Sequence, residues 1–146
     1  MIADRSDRLA ALTREFAAFR RAESEGDTRA AWGHLERAHI VAQPLPLAHL
    51  QTHLVMLRYA VLSRDTREAL GQILRLGLAV PGNLLGRLPA GNTGRARASA
   101  FAPMAVPADL ARFVGCDGHE TGAFASLEQL AFGRLAGAAL STVHVR

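Results

Sequence analysis

Through the first half of the chain, apolar residues recur three and four positions apart, with polar ones between them. Leu9, Leu12, Phe16 and Phe19 set the first stripe, the spacing of an amphipathic helix and not of a strand. Ser6 or Asp7 is placed to cap a helix over about Arg8–Glu25, because a short polar side chain there accepts from the free N–H groups of the first turn. Gly26-Asp27 breaks the pattern, and Asp27 reads as the N-cap of a second helix reaching about Gln43. Pro44 and Pro46 close that helix and open a third over about Pro46–Leu62, since proline fits a first turn and not an interior. Within it Leu50, Leu54, Leu57 and Val61 form one stripe. Ser63 or Asp65 is placed to cap a fourth helix, which runs to about Val80 before Pro81-Gly82 stops it. No segment in this half alternates with period two. The expected class is all-α, with antiparallel helical hairpins forming a four- to five-helix bundle.

The pattern then changes. Gly82, Gly86, Pro89, Gly91, Gly94, Pro103 and Pro107 punctuate the stretch Pro81–Pro107, a density that forbids a long helix. Leu84, Leu85, Leu88, Phe101, Met104 and Val106 are nonetheless spaced to lie on a core, so a long ordered Gly/Pro-rich loop wrapping the bundle is expected. Cys116–Gly122 is turn-like, and Leu127–Ser141 is rich enough in Ala and Leu for a last helix packed on a neighbour. The expected organisation is a helical bundle domain over residues 1–112 and a C-terminal extension over 113–146. Gly26-Asp27 with Ala31, Leu35 and Ala38 is partly echoed by Arg64-Asp65 with Ala69 and Ile73, 38 residues on. A tetratricopeptide repeat has a period of about 34 and signature aromatics that are missing here. The echo supports stacked helical hairpins more than a peptide-binding repeat.

Composition narrows the chemistry. The chain has 146 residues, 49% of them hydrophobic, enough for one domain with a real core. All 17 basic residues are Arg, which excludes Schiff-base chemistry and a Walker phosphate loop. A single Cys excludes an internal disulfide framework. Between Ala69 and Ala108 no residue is acidic, and Arg75, Arg87, Arg95 and Arg97 lie there. Aromatics are only 5% and no reader motif accompanies these arginines, so nucleic acid is not an expected partner. Asp4, Arg5, Asp7 and Arg8 stand where a secretory leader would be apolar, and Leu70–Leu88 is interrupted too often for a membrane span. A cytoplasmic location is expected.

Chemistry concentrates in His34–His53. Glu36 and His39 are three apart on the second helix, so their side chains sit about 60° from each other and can meet. His49 and His53, four apart on the third, share a face. A short connection makes the two helices antiparallel neighbours, and if the two faces point inward together Glu36, His39, His49 and His53 can converge at one height. Three imidazoles and a carboxylate suit zinc, or iron or manganese with open positions. A single Glu-x-x-His pair favours a mononuclear site, or a dinuclear one built across a homodimer. Such an ion would carry net positive charge, suited to metal homeostasis or to metal-assisted chemistry on a small anionic ligand. Were the protein an enzyme, Glu36 could be the base, with Arg37 or Arg95 orienting substrate. Three alternatives stand beside this: a hairpin of ordinary hydrogen-bonded histidines, a non-enzymatic repeat-like interaction module, and a metal-free enzyme with His39 and Glu36 as an acid–base pair. His34 falls off the Glu36–His39 face.

A second candidate is Arg87–Arg97. Gly91 and Gly94 allow tight turns that expose N–H groups, flanked by Arg87, Arg95 and Arg97, an arrangement able to hold an anion. The competing reading is a turn in which Asn92 ties its own backbone. Arg37, Gln43, Asn92 and Arg95 are the candidate substrate-binding residues. Cys116 and His119, followed by Glu120, form a lone pair on a turn, weak grounds for either metal or nucleophile.

Leu35-Glu36-Arg37-Ala38-His39-Ile40 with Gln43, then His49, His53 and Met56-Leu57, then Gly71-Gln72 and Leu88-Pro89 with Gly91-Asn92-Thr93-Gly94, and finally Pro103-Met104 and Pro107 form a combined pattern. It resembles a bacterial family catalogued only as domain of unknown function 3703, over roughly Phe16 to Leu110. The resemblance implies a small cytoplasmic protein, of a kind often found among metal-resistance genes, with no established activity. It also implies that the His/Glu hairpin and the Gly-Asn-Thr-Gly loop belong to one site, the loop folding over the hairpin. Beyond about Val114 the resemblance ends.

Overall fold

The computed structural model describes residues 3–84, 91–99 and 102–114. Four α-helices, α1 (Arg5–Glu25), α2 (Thr28–Ala42), α3 (Pro46–Leu62) and α4 (Thr66–Leu84), are followed by a short 3-10 helix, Ala108–Phe113. The described residues form an all-α structure in which α1 pairs with α2 and α3 with α4, while α2 against α3 joins the two hairpins. The Cys116–Gly122 turn, Cys116 and His119, and the helix expected over Leu127–Ser141 lie outside the described residues.

Caps explain most helix boundaries. Asp27 accepts from Ala30 N at 2.9 Å at the start of α2, and Asp65 accepts from Glu68 N at 3.0 Å at the start of α4. The first helix starts earlier than its pattern suggests. Asp4, not Ser6 or Asp7, is its N-cap, accepting from Asp7 N at 2.8 Å, and Ser6 hydroxyl donates to the same carboxylate. Gly26 ends α1 in the left-handed region at φ 74°, where a side chain is costly. Pro46 opens α3. Pro81 does not end α4, which continues to Leu84. Proline at such a place costs the helix one backbone bond and crowds the carbonyl four residues before it, which strains a helix without having to end it.

The core is built from Leu12, Phe16 and Phe19 of α1, Trp32 and Leu35 of α2, and Val55, Met56 and Tyr59 of α3. Phe19 and Trp32 both pack on Tyr59, with centroids 5.3 and 5.0 Å apart. Glu15 on α1 holds His34 and Arg37 of α2, each at 2.8 Å, and Arg37 also reaches Asp109 on the 3-10 helix. That short helix is docked by Ala3 N to the Arg112 carbonyl at 2.9 Å and by Arg8 to the Phe113 carbonyl at 2.5 Å.

The third helix does not bury the stripe its pattern suggests. Leu54 and Val61 are exposed, while Ala48, His49, Thr52, His53, Val55, Met56, Tyr59 and Ala60 are inside. The fourth helix, over its described side chains, is largely inverted. Glu68, Gln72 and Arg75 are buried, while Leu70, Ile73, Leu74 and Leu78 face outward. Buried polar groups need partners, and here residues 91–99 supply them. Ala96 N donates to Glu68 at 3.0 Å, Gln72 Nε2 donates to the Gly94 carbonyl at 2.8 Å, and Arg75 donates to the carbonyls of Arg95 and Ala98. Gly71 permits the close approach, since a Cβ there would sit 2.2 Å from the Ala96 Cβ. Of the loop expected over Pro81–Pro107, this described part bonds to α4 and α2; the start of that range is helical and residues 85–90 and 100–101 lie outside the described residues.

Replacing Asp27 with Ala removes the acceptor for Ala30 N and is expected to cost about 1 kcal/mol. A lowered urea midpoint with unchanged m-value would show it.

Candidate metal centre

His39 comes from α2 and His49 and His53 from successive turns of α3, where the Pro44–Pro46 connection brings the helices together. All three imidazoles are buried, at 2%, 4% and 2% exposure. Their rings form a triangle with centroids 4.7, 4.7 and 4.8 Å apart. His39 Nε2 lies 2.9 Å from His49 Nε2 and 3.2 Å from His53 Nε2. Each ring thus contributes a nitrogen to one small space, and these ligand atoms lie within 4.8 Å of one another.

The outward nitrogens decide what the inward ones carry. His39 Nδ1 is 2.8 Å from the Asn92 carbonyl, which can only accept, so that nitrogen bears the proton. His53 Nδ1 is 2.8 Å from Gln72 Oε1. The orientation of that amide is set because Gln72 Nε2 donates to two acceptors, Glu68 Oε1 and the Gly94 carbonyl, both at 2.8 Å. Both rings therefore donate outward at Nδ1, and when neutral their Nε2 atoms are bare lone pairs.

Neither ring readily takes a second proton. Burial first, then the neighbouring His49 and His53, holds His39 well below its ordinary value. Burial likewise pushes His53 down to about 4, with Arg75 adding to the shift and the Gln72 bond opposing it. A proton on His49 Nε2 can satisfy the lone pair of His39, but the His39–His53 contact still sets two acceptors face to face at 3.2 Å. A shared cation removes that conflict. Tetrahedral zinc, at about 2.0–2.1 Å from each nitrogen, sets its ligand atoms about 3.3 Å apart, close to the 2.9 and 3.2 Å seen here.

The surroundings reinforce this geometry. Gln43 ties the loop to α2, accepting from Gly91 N at 3.1 Å and donating to the Asn92 carbonyl at 3.3 Å. Asn92 donates to the carbonyls of Ser99 and Ala102 and accepts from Gly94 N at 3.0 Å, the turn in which it ties its own backbone. Gly94, at φ 76°, lies flat on His39; a Cβ there would come 2.7 Å from the ring. The loop therefore covers the hairpin, presenting a carbonyl to His39.

Of the four residues expected to ligate, the structure brings together His39, His49 and His53. Glu36 lies outside the cluster, its carboxylate 3.2 Å from Arg95 Nη1 and 3.8 Å from Arg97. Arg95 also pairs with Glu68 at 3.0 Å and stacks on Trp32 at 3.8 Å. Arg37 is held between Glu15 and Asp109, while Gln43 and Asn92 bond to each other and to the loop backbone. The residues that sequence reasoning passed over are Glu68, Gln72 and Arg75. Their signal is a spacing of four and three on a helix whose residues from Ala69 to Leu78 are otherwise apolar or Gly, which places them on one face.

A family model described as a protein of unknown function, DUF3703, matches residues 6–114. The chain belongs to the DUF3703 family. Curated proteins and solved structures give no significant match. The DUF3703 region takes in all three histidines, Gln72 and residues 91–99, so the whole centre lies inside the family unit.

In the metal-free protein, His53 takes up a proton near pH 6.5 when unfolded and near 4 when folded. Between those values the unfolded state binds more protons, so stability falls as pH falls. His39 acts in the same direction. Full stability is expected above about pH 6.5, with about 3 kcal/mol lost by pH 4 through His53 alone. Urea midpoints across that range test this, and a midpoint independent of pH would contradict it.

Proposed function

We propose that this protein binds one transition-metal ion through Nε2 of His39, His49 and His53. What carries the reading is the contact between His39 Nε2 and His53 Nε2 at 3.2 Å, where both nitrogens lack a proton. Metal-bound histidines characteristically donate their other N–H to a carbonyl or carboxylate, which fixes tautomer and orientation. Asn92 and Gln72 serve that purpose for two of the three rings. An all-imidazole set suits zinc, and also iron, better than manganese, which favours oxygen donors.

The surroundings favour holding the ion over metal-assisted chemistry. Arg37 and Arg95, the expected anion-orienting cations, are engaged by carboxylates within the chain. Glu36 is taken by Arg95, which also separates it from the acid–base partnership with His39 that a metal-free enzyme would need. Residues 91–99 bond to both α2 and α4, across the face a peptide would need in a repeat-like module. The proposed role is metal homeostasis in the sense of binding and retention.

Protein purified without a histidine tag, stripped of metal and dialysed against zinc is expected to retain one equivalent per chain by elemental analysis. The His49→Ala/His53→Ala double variant should retain none while keeping its helical circular dichroism. Equal retention by wild type and double variant would overturn the reading. Gln72→Leu leaves all three ligands in place but removes the acceptor for His53 Nδ1–H, and should weaken zinc binding by about 10–100-fold. Competition against a chromogenic chelator measures that difference.

A further inference from the structure

The outward face of α4 is apolar where a surface helix should be polar. Leu70, Ile73, Leu74 and Leu78 are 64%, 54%, 69% and 44% exposed. Val61 and Leu62, at the end of α3 beside the turn into α4, are also exposed. A patch of this kind marks an interaction surface, since single exposed leucines are ordinary and a contiguous stripe is not. Its origin is clear: α4 spends its polar residues inward, on the loop that covers the histidines.

We infer that this face is the interface between two copies of the chain, packed α4 against α4 about a twofold axis through Leu74. Leu70 and Leu78 lie four residues to either side of Leu74, so an antiparallel mate sets Leu70 opposite Leu78 and Leu74 opposite itself. A twofold interface requires such a self-complementary pattern. Rows of residues four apart also form the ridges that interdigitate in the commonest helix packing. Arg67, exposed and seven residues before Leu74, lies on the same side at the end of the contact, and between Leu70 and Leu78 charge raises no obstacle. From Ala69 to Leu78 the sole charged residue is Arg75, which is buried against the loop and faces away from the stripe.

Area and chain path favour the same occupant. The six side chains expose on the order of 600 Å² per copy, so two copies bury at most on the order of 1,200 Å², the lower end for stable complexes. The described chain ends on the 3-10 helix, which packs against α2 and is tied to Ala3 and Arg8, on the α1–α2 side of the bundle and not on α4. The stripe is also independent of the metal centre, whose contacts with α4 run through Gln72 on the opposite face.

Sedimentation equilibrium of the full chain at roughly 1–100 µM tests this. The expected mass is twice 15.6 kDa, falling to one chain in Leu70→Glu/Leu74→Glu with helical circular dichroism and zinc retention unchanged. In a Cys116→Ser background, Leu74→Cys should oxidise to a disulfide-linked dimer, whereas Ala17→Cys on α1 should not. A wild-type monomer throughout the range overturns the proposal. So does a monomer whose unfolding midpoint drops in the Glu variant, which would show the chain covering its own stripe. A dimer that survives the double substitution, or equal cross-linking at both cysteine positions, places the interface elsewhere and overturns it too.

Discussion

Two imidazole nitrogens without protons, held 3.2 Å apart in a buried space, are the constraint around which the second hairpin is organised. Lone pairs so placed repel, and they stay there because each ring is anchored at its other nitrogen. His39 is anchored by a carbonyl of the loop and His53 by a side chain of α4. Those anchors need anchors of their own. Gln72 is oriented by Glu68 and Gly94, and the Asn92 carbonyl is positioned by Gln43 and by the Asn92 side chain's bonds across the loop. A polar network buried this fully is costly unless every member is satisfied, and a cation at the centre would satisfy its last members.

The network explains why α4 is inverted. An apolar α4 interior would leave the loop backbone between Asn92 and Ser99 without donors and acceptors. Glu68, Gln72 and Arg75 supply them from three successive positions on one face. Leu70, Ile73, Leu74 and Leu78 are thereby left on its outside. Holding the histidines and carrying a sticky outer stripe are in this sense one feature of a single helix.

How much of this was legible in the sequence varied with the kind of signal. Helix caps at Asp27 and Asp65 and the proline opening α3 act within a few residues, and they stand where the pattern placed them. The i, i+4 pair His49 and His53, set against His39 across a short turn, was readable for the same reason. Asp4 as the first cap was missed because Ser6 and Asp7 are equally good caps by type, and only the chain path selects among them. The apolar stripe of α3 does not predict its buried face, because hydrophobicity alone does not decide burial there. Leu54 and Val61 lost the interior to His49, Thr52 and His53, whose partners come from distant segments and leave no local mark. Glu36 has the right spacing for a ligand, but Arg95, 59 residues away, holds its carboxylate.

The sequence by itself determined the all-α class, the four helices of the two hairpins with boundaries good to a few residues, and the three histidines that can meet across the proline turn from α2 to α3. Helical period and capping chemistry are local, and local rules suffice for them. Only the tertiary structure decided which nitrogens carry protons, which carboxylate stays away, and which side of α4 faces in. Each of those depends on a partner far along the chain, brought within about 3 Å only when the loop closes over the bundle.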